Sequence, residues 1–172
     1  YGIPALILSG GEPLSRPDTL DIARRSKAYG LYTALSSNGT PIDGRVADDI
    51  ATIGFDYVGI SLDGIGKTND WFRGQDGAFD AALAGVRACL ARDIKVGLRY
   101  TMTTENAEQL PELLDLAVSE GVEKFYLSHL VYAGRGNKNR MDDTNRAVTR
   151  AGLDLLLERA WAAVSAGEEF EI

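Results

Sequence analysis

The chain has 172 residues, of which 45% are hydrophobic and 25% are charged, and this composition predicts one globular domain over residues 1–172. Its formal net charge of −7 argues against nucleic acid or a membrane surface as the main partner, because both require a basic face. No apolar run approaches the ~20 residues that cross a bilayer, and the single cysteine, Cys89, allows no disulfide within the chain, so we predict a cytoplasmic protein.

Short apolar segments alternate along the chain with longer segments whose apolar residues recur at helical spacing. The pattern predicts strands at residues 4–9, 31–37, 56–62, 94–102 and 124–131. It predicts helices at residues 18–29, 43–53, 78–92, 110–119 and about 145–166. The buried stripe expected for the last helix consists of Leu153, Leu156, Leu157, Ala160, Trp161 and Val164.

This regular alternation is typical of parallel strands joined by right-handed helical crossovers. Two architectures fit it: an open doubly wound sheet or a segment of a barrel. The first strand begins so abruptly that we expect at least one strand and helix to precede it, and residues 168–172 resemble the start of a further strand.

Polar residues collect at the predicted strand ends, where parallel α/β proteins bind their ligands. The first strand runs into Gly10-Gly11-Glu12-Pro13, and the other four end in polar residues as well. Side chains alternate between the two faces of a strand, so small and polar residues share one face of two neighbouring strands. These residues are Gly59, Ser61 and Asp63 on one strand and Gly97, Arg99 and Thr101 on the next.

The motifs SGGEPL, SSNG, GISLDG and NDWFRG follow one another on these strand ends, and in this order they resemble the radical S-adenosylmethionine (SAM) superfamily. The resemblance implies a partial (β/α)6 TIM-like barrel that lacks its N-terminal βα unit. It also implies an enzyme that uses SAM, a [4Fe-4S] cluster and an electron donor to form the 5′-deoxyadenosyl radical.

The resemblance further implies a set of SAM-binding residues. The backbone of Gly10 and Gly11 and the carboxylate of Glu12 would meet the methionine end of SAM. Two residues, Ser61 and Arg99, would hold its carboxylate or ribose. Two further residues, Ser37 and Asn38, would support the same pocket, and the backbone near Leu130 and Val131 would contact the adenine of SAM. Asp63 would either contact the ligand or form an ion pair with Arg73.

The superfamily binds its cluster through three cysteines spaced C-x3-C-x2-C, and this sequence has no such motif. Cys89 lies beside the apolar stripe of its predicted helix, so we interpret it as a buried hydrophobic residue. We therefore expect no metal ligand in this chain, cluster ligands before Tyr1, and no SAM cleavage by these 172 residues alone.

Within the superfamily, the segments NDWFRGQDGAFDAALAGVRACL, VGLRYTMTTEN and KFYLSHLVYAGRGNK resemble the SPASM-type branch that acts in haem d1 biosynthesis. That resemblance implies a small-molecule tetrapyrrole substrate, 12,18-didecarboxysiroheme, which loses two propionate side chains. The cations Arg135, Lys138 and Arg140 would bind its carboxylates, although such a run is also typical of a solvated loop. His129 is a further candidate, but its strand parity favours a structural role.

Two other functions remain open from the sequence. The same strand-end motifs occur in other radical SAM enzymes, such as haem-pathway decarboxylases and peptide-modifying maturases. A non-catalytic β/α domain that binds a metabolite would show the same alternation of strands and helices.

Overall fold

Five parallel strands form one sheet in the computed structural model, which describes residues 2–130, 143–167 and 171. The strands are β1 (Ala5–Leu8), β2 (Tyr32–Ser37), β3 (Tyr57–Ser61), β4 (Val96–Met102) and β5 (Lys124–His129). The helices are α1 (Thr19–Ala28), α2 (Gly44–Ile53), α3 (Lys67–Arg73), α4 (Ala78–Leu90), α5 (Leu110–Ser119) and α6 (Arg146–Ala166). Short 3-10 helices at Pro13–Ser15 and Ala107–Gln109 complete the described elements.

Each strand pairs in parallel with the next strand of the chain, in the order β1-β2-β3-β4-β5. A doubly wound sheet reverses its strand order at a switch point, whereas a barrel adds strands in sequence. The order therefore decides between the two predicted architectures in favour of a barrel segment. Glu171 extends the segment, because it forms a parallel bridge with Lys124 on the far side of β5.

Capping residues fix the ends of two helices. The Asp43 carboxylate accepts a hydrogen bond from the Val46 amide at 2.8 Å and caps the start of α2, while Gly54 ends that helix in a left-handed conformation. Asn145 caps α6 in the same way. Both helices therefore begin at a side chain that accepts hydrogen bonds from their first free amide groups.

The sheet has two faces of different character. The helix-covered face packs against the helices and contains Val58, Ile60, Leu98, Tyr100 and Phe125, each at most 1% exposed. The opposite face, called the inner face below, contains Tyr57, Gly59, Ser61, Gly97, Arg99 and Tyr126. Burial of the apolar face supplies most of the stabilisation, at about 25 cal/mol per Å² of apolar surface.

Two sequence predictions about helices are wrong. Residues 67–73 form helix α3, which is absent from the predicted helices because a seven-residue helix between Gly66 and Gly74 has too little apolar periodicity to detect. The stripe predicted for α6 is largely exposed: Leu156 is buried, but Leu157, Trp161 and Val164 are 67%, 75% and 64% exposed. Helix α6 packs against the core through Gly152, Leu155 and Leu156, and its other apolar side chains from Leu157 onwards are mostly exposed.

Candidate active site

Two glycines of the inner face make room for a tyrosine ring. Gly59 and Gly97 lie opposite each other on β3 and β4. A Cβ atom on Gly97 would lie 2.9 Å from carbon atoms of the Tyr57 ring, and one on Gly59 would lie 2.8 Å from Cδ of Arg99. The glycines therefore let Tyr57 and Arg99 lie against the backbone of the sheet. Burial raises the pKa of Tyr57, so its hydroxyl stays protonated at neutral pH.

Arg99 is the charged centre of the inner face. Its guanidinium donates a hydrogen bond to the hydroxyl of Ser36 on β2 and lies 5.6 Å from the centre of the Tyr126 ring. Ser61 is in register with Arg99 on the neighbouring strand, so the two side chains point to the same face. None of the ion pairs among the described residues involves Arg99, which leaves its charge available to an anionic ligand.

Ser36 is a candidate site residue, because its hydroxyl accepts a hydrogen bond from Arg99 on the inner face, and the sequence prediction does not include it. The register places Ser36 beside Gly59 on the inner face and Ser37 beside Ile60 on the helix-covered face. Strand parity was the signal that could have separated them, but it requires knowing where β2 ends. Ser37 is 2% exposed, and its hydroxyl donates to Glu12.

The glycine turn after β1 is open. Gly10 has a φ of 136°, a conformation that residues with side chains rarely adopt, so glycine is required there. A Cβ atom on Gly10 or Gly11 would meet no atom within 4 Å. The backbone of the turn is thus accessible to a ligand.

The Glu12 carboxylate joins the end of β1 to the end of β2. It accepts hydrogen bonds from the Leu14 amide at 3.0 Å, the Ser37 hydroxyl at 2.9 Å and the Asn38 amide at 2.7 Å. Three donors offset its charge, so its first role in this structure is to hold the two loops together. Any contact with the ammonium of SAM would come in addition to these bonds.

Asp63 lies at the end of β3 and is 1% exposed. It forms an ion pair with Arg73 and accepts a hydrogen bond from the Thr101 amide at 2.7 Å. Burial raises the pKa of Asp63, and the charge of Arg73 opposes that shift. The pairing that the sequence offered as one of two readings for Asp63 is therefore present.

Asn106 lies in the loop after β4 and is hydrogen-bonded to the ends of both β3 and β4. Its amide nitrogen donates to the carbonyl oxygens of Asp63 and Thr101, both at 2.9 Å, and its oxygen accepts from the Thr103 amide at 2.7 Å. The Tyr100 hydroxyl bonds to the Asn106 side chain at 2.9 Å and to its carbonyl oxygen at 2.8 Å. This buried asparagine fixes β3 and β4 relative to each other, and no composition or spacing signal marks it.

The remaining predicted residues lie apart from the inner face or outside the described part of the chain. His129 is exposed and in register with Met102, which belongs to the helix-covered face, in agreement with its predicted parity. Leu130 is partly buried directly after β5. The other predicted adenine contact and the predicted carboxylate-binding cations lie outside the described residues: Val131, Arg135, Lys138 and Arg140.

The part of the chain that the structure describes does not fit an iron–sulfur cluster. Among these residues no group of three or more His, Cys, Asp or Glu side chains is placed to hold a metal ion. Cys89 is buried in α4, and burial raises the pKa of its thiol to about 11, which disfavours the thiolate that a cluster needs. The interpretation of Cys89 as a hydrophobic core residue is consistent with both observations. A membrane-spanning helix is also absent from the described residues, since none of their helices combines the required length and hydropathy.

Comparison with known proteins identifies the family. The model of the radical SAM superfamily matches residues 1–117, and the pre-heme d1 synthase of Dinoroseobacter shibae is 60% identical over 173 residues, covering 100% of this chain and 43% of that protein. The chain belongs to the radical SAM superfamily. The predicted family and its cofactor pair, SAM and a [4Fe-4S] cluster, are thereby confirmed at the level of the superfamily.

Two further comparisons agree. The Fe-coproporphyrin III synthase of Methanosarcina barkeri is 44% identical over 159 residues, covering 92% of this chain and 40% of that protein. The structure of native anSMEcpe with bound AdoMet aligns with a TM-score of 0.74 at 19% identity, over 98% of this chain and 49% of that one, and shows the same fold. The chain spans less than half the length of the curated relatives described here.

Proposed function

We propose that this chain is the SAM-binding core of an enzyme that converts a siroheme-derived tetrapyrrole, 12,18-didecarboxysiroheme, in haem d1 biosynthesis. The observation that carries this proposal is the 60% identity with a pre-heme d1 synthase over the whole chain. Identity at that level over every strand and loop favours a shared substrate class more strongly than fold similarity does.

In this proposal the inner face holds SAM. The guanidinium of Arg99 and the hydroxyl of Ser61 face the same space, and they suit the SAM carboxylate because Arg99 has no acidic partner among the described residues. The open turn at Gly10 and Gly11 offers backbone groups to the methionine end. When bound next to a reduced [4Fe-4S] cluster, SAM supplies the 5′-deoxyadenosyl radical that abstracts hydrogen from the substrate.

The described residues carry no ligand set for the cluster, so we assign the cluster and the entry of electrons to parts of the enzyme outside them. The role of this chain is then to bind and orient SAM and to present it to the substrate. We retain the prediction of a cytoplasmic enzyme with a separate electron donor.

The test is an anaerobic assay of the full-length protein with SAM, dithionite and 12,18-didecarboxysiroheme. We expect 5′-deoxyadenosine to form in a substrate-dependent manner, together with a tetrapyrrole product whose mass shows the loss of two propionate side chains. A rate of 5′-deoxyadenosine formation that is the same with and without the tetrapyrrole, and an unchanged tetrapyrrole mass, would contradict the proposal.

A second candidate is an Fe-coproporphyrin III synthase, which the 44% identity with the Methanosarcina barkeri enzyme of that name favours. The same assay separates the two, because the second candidate would yield Fe-coproporphyrin III. Mass spectrometry of the product decides between them.

A further inference from the structure

A hydroxyl, a glycine backbone and an aromatic ring surround the side chain of Arg99 on the inner face. Nη1 of Arg99 donates a hydrogen bond to the Ser36 hydroxyl on β2, and Cζ lies 5.6 Å from the centre of the Tyr126 ring on β5. The aliphatic stem lies over Gly59 on β3, where a Cβ atom would be 2.8 Å from Cδ of Arg99. None of these three groups carries a charge.

Tyr126 contacts Arg99 because the two residues are neighbours across the sheet. They are in register on β5 and β4, and residues in register on parallel strands project to the same face. The Tyr126 side chain is 50% exposed, and it belongs neither to the buried core nor to the described side chains that pack against the core. Core packing therefore does not account for an aromatic residue at this position, whereas the contact with Arg99 does.

A second cation of the inner face, Lys124, has a different environment. Its Nζ atom lies 5.7 Å from the centre of the Tyr57 ring and forms an ion pair with Glu171 at 2.6 Å. Arg99 also lies over a ring, but it takes part in no ion pair among the described residues. An acidic partner offsets the charge of a cation, whereas an aromatic ring attracts the cation and leaves its charge available to a ligand.

We propose that Tyr126 is a positioning residue for SAM binding: its ring orients the Arg99 guanidinium on the inner face beside Ser61, so that it meets the SAM carboxylate without reorientation. A long arginine side chain loses rotamer freedom when it binds a ligand, and a side chain that is ordered beforehand avoids much of this cost. Tyr126 acts through Arg99 and not by contact with SAM. The inference rests on the proposed function, which assigns the SAM carboxylate to Arg99.

The test compares two changes at Tyr126 in the full-length protein, reconstituted with its cluster. Tyr126→Leu removes the ring, and Tyr126→Phe keeps the ring and removes only the hydroxyl. Tyr32→Leu is the matched control, because Tyr32 is 47% exposed on the same face of β2 as Ser36 and no cation among the described residues lies over its ring. Far-UV circular dichroism and urea midpoints establish that each variant is folded.

SAM binding is measured by calorimetry. We expect Tyr126→Leu to weaken SAM binding by about three- to thirtyfold, the range of one cation–π contact. Tyr126→Phe should bind SAM within about twofold of the parent, because the ring that contacts the guanidinium is retained. Tyr32→Leu should bind SAM like the parent.

Two further measurements show whether Tyr126 acts through Arg99. In an Arg99→Ala background, Tyr126→Leu should change SAM affinity by less than about twofold, because the ring has no guanidinium to orient. Decarboxylated SAM, which lacks the group that Arg99 would bind, should have the same affinity for the parent and for Tyr126→Leu. A change that only disturbs the fold would weaken the binding of both ligands.

Four results would overturn the inference, and they are distinguishable. Parent-like SAM affinity in Tyr126→Leu, with a loss in Arg99→Ala, removes the positioning role and leaves the proposed function intact. Equal losses in Tyr126→Phe and Tyr126→Leu assign the effect to the hydroxyl, and additive losses in the Arg99→Ala background show that Tyr126 acts independently. Unchanged SAM affinity in a folded Arg99→Ala protein overturns the proposed SAM site, and the positioning role with it.

Discussion

The two faces of the sheet are built from alternate residues of the same strands, yet they have opposite properties. On β4, Leu98 and Tyr100 are at most 1% exposed and pack against helices, while Arg99 between them reaches a partly open space. The helix-covered face gains its stability from contacts within the chain. The inner face holds the charge of Arg99, two glycines and the hydroxyl groups of Ser61, Tyr57 and Tyr126, which contribute little to a core. The difference is what we expect of a sheet whose one face forms the core and whose other face, as we propose, binds a ligand.

The largest effect on stability is expected on the helix-covered face. Leu98→Ala should lower the free energy of unfolding by about 2–5 kcal/mol, because it leaves a cavity among residues that cannot close it. Ser61→Ala, at the neighbouring inner-face position of β3, should change it by about 0.5 kcal/mol or less. Urea denaturation of both variants checks the pair, and equal losses would erase the distinction between the faces.

The second-largest loss of unfolding free energy is expected at Asn106, the buried asparagine that links the ends of β3 and β4. Asn106→Ala should cost roughly 2–4 kcal/mol, because it leaves the carbonyls of Asp63 and Thr101 and the Thr103 amide without their partner. Asn106→Asp keeps the acceptor but sets a buried carboxylate oxygen against the carbonyl oxygens of Asp63 and Thr101, so its loss should be at least as large. The comparison is made by urea denaturation, and a loss below about 1 kcal/mol for Asn106→Ala would mean that water replaces these bonds.

The glycines of the inner face offer a third test. Gly97→Ala should cost about 1–3 kcal/mol, because the new methyl group would overlap the ring of Tyr57. In a Tyr57→Ala background the same change should cost much less, and the double-mutant cycle measures the coupling. If the effects of Gly97→Ala and Tyr57→Ala on the free energy of unfolding are additive, overlap with the Tyr57 ring is not the reason that position 97 requires glycine.

The smallest effect concerns an ion pair at the edge of the sheet that belongs to neither face. The carboxylate of Asp56 accepts from Nζ of Lys27 and from the Thr33 amide, both at 2.7 Å, and the hydrogen bond from Lys27 is the main reason that its pKa lies below its usual value. Because the pKa is lowered in the folded state, the stabilisation is complete well above pH 4 and is lost as the pH falls through the folded pKa.

Asp56→Asn should therefore lower the free energy of unfolding by about 1 kcal/mol at pH 7. The difference from the parent should shrink when the urea titration is repeated at pH values near and below 4. A difference that is independent of pH would show that the charge of Asp56 does not contribute.

The sequence predicted most of the fold because each strand and helix has its own periodicity. All five strands and the five longest helices lie within a few residues of their predicted positions. Helix α3 was missed because its seven residues bury only Asn69, and the exposed side of α6 was misassigned because apolar periodicity cannot tell which apolar residues find a partner.

Candidate site residues could be predicted from the sequence where a motif contains them, and less well where their contacts depend on pairing across the sheet. The glycine turn, Ser61 and Arg99 follow from strand ends and alternation. The contact of Ser36 with Arg99 depends on a one-residue register. Two of the three hydrogen bonds to Glu12 come from Ser37 and Asn38, which lie 25 and 26 residues further along the chain. Asn106 acts through backbone groups of two strands, which no local pattern reveals.

The most direct test of this account is to measure SAM binding and stability together in the full-length Arg99→Ala protein. Because Arg99 is on the inner face and has no acidic partner among the described residues, we predict a free energy of unfolding within about 1 kcal/mol of the parent. We predict a loss of SAM affinity of about ten- to a hundredfold, the value of one charge-assisted contact. Unchanged SAM affinity in a well-folded Arg99→Ala protein would contradict the assignment of the inner face to SAM.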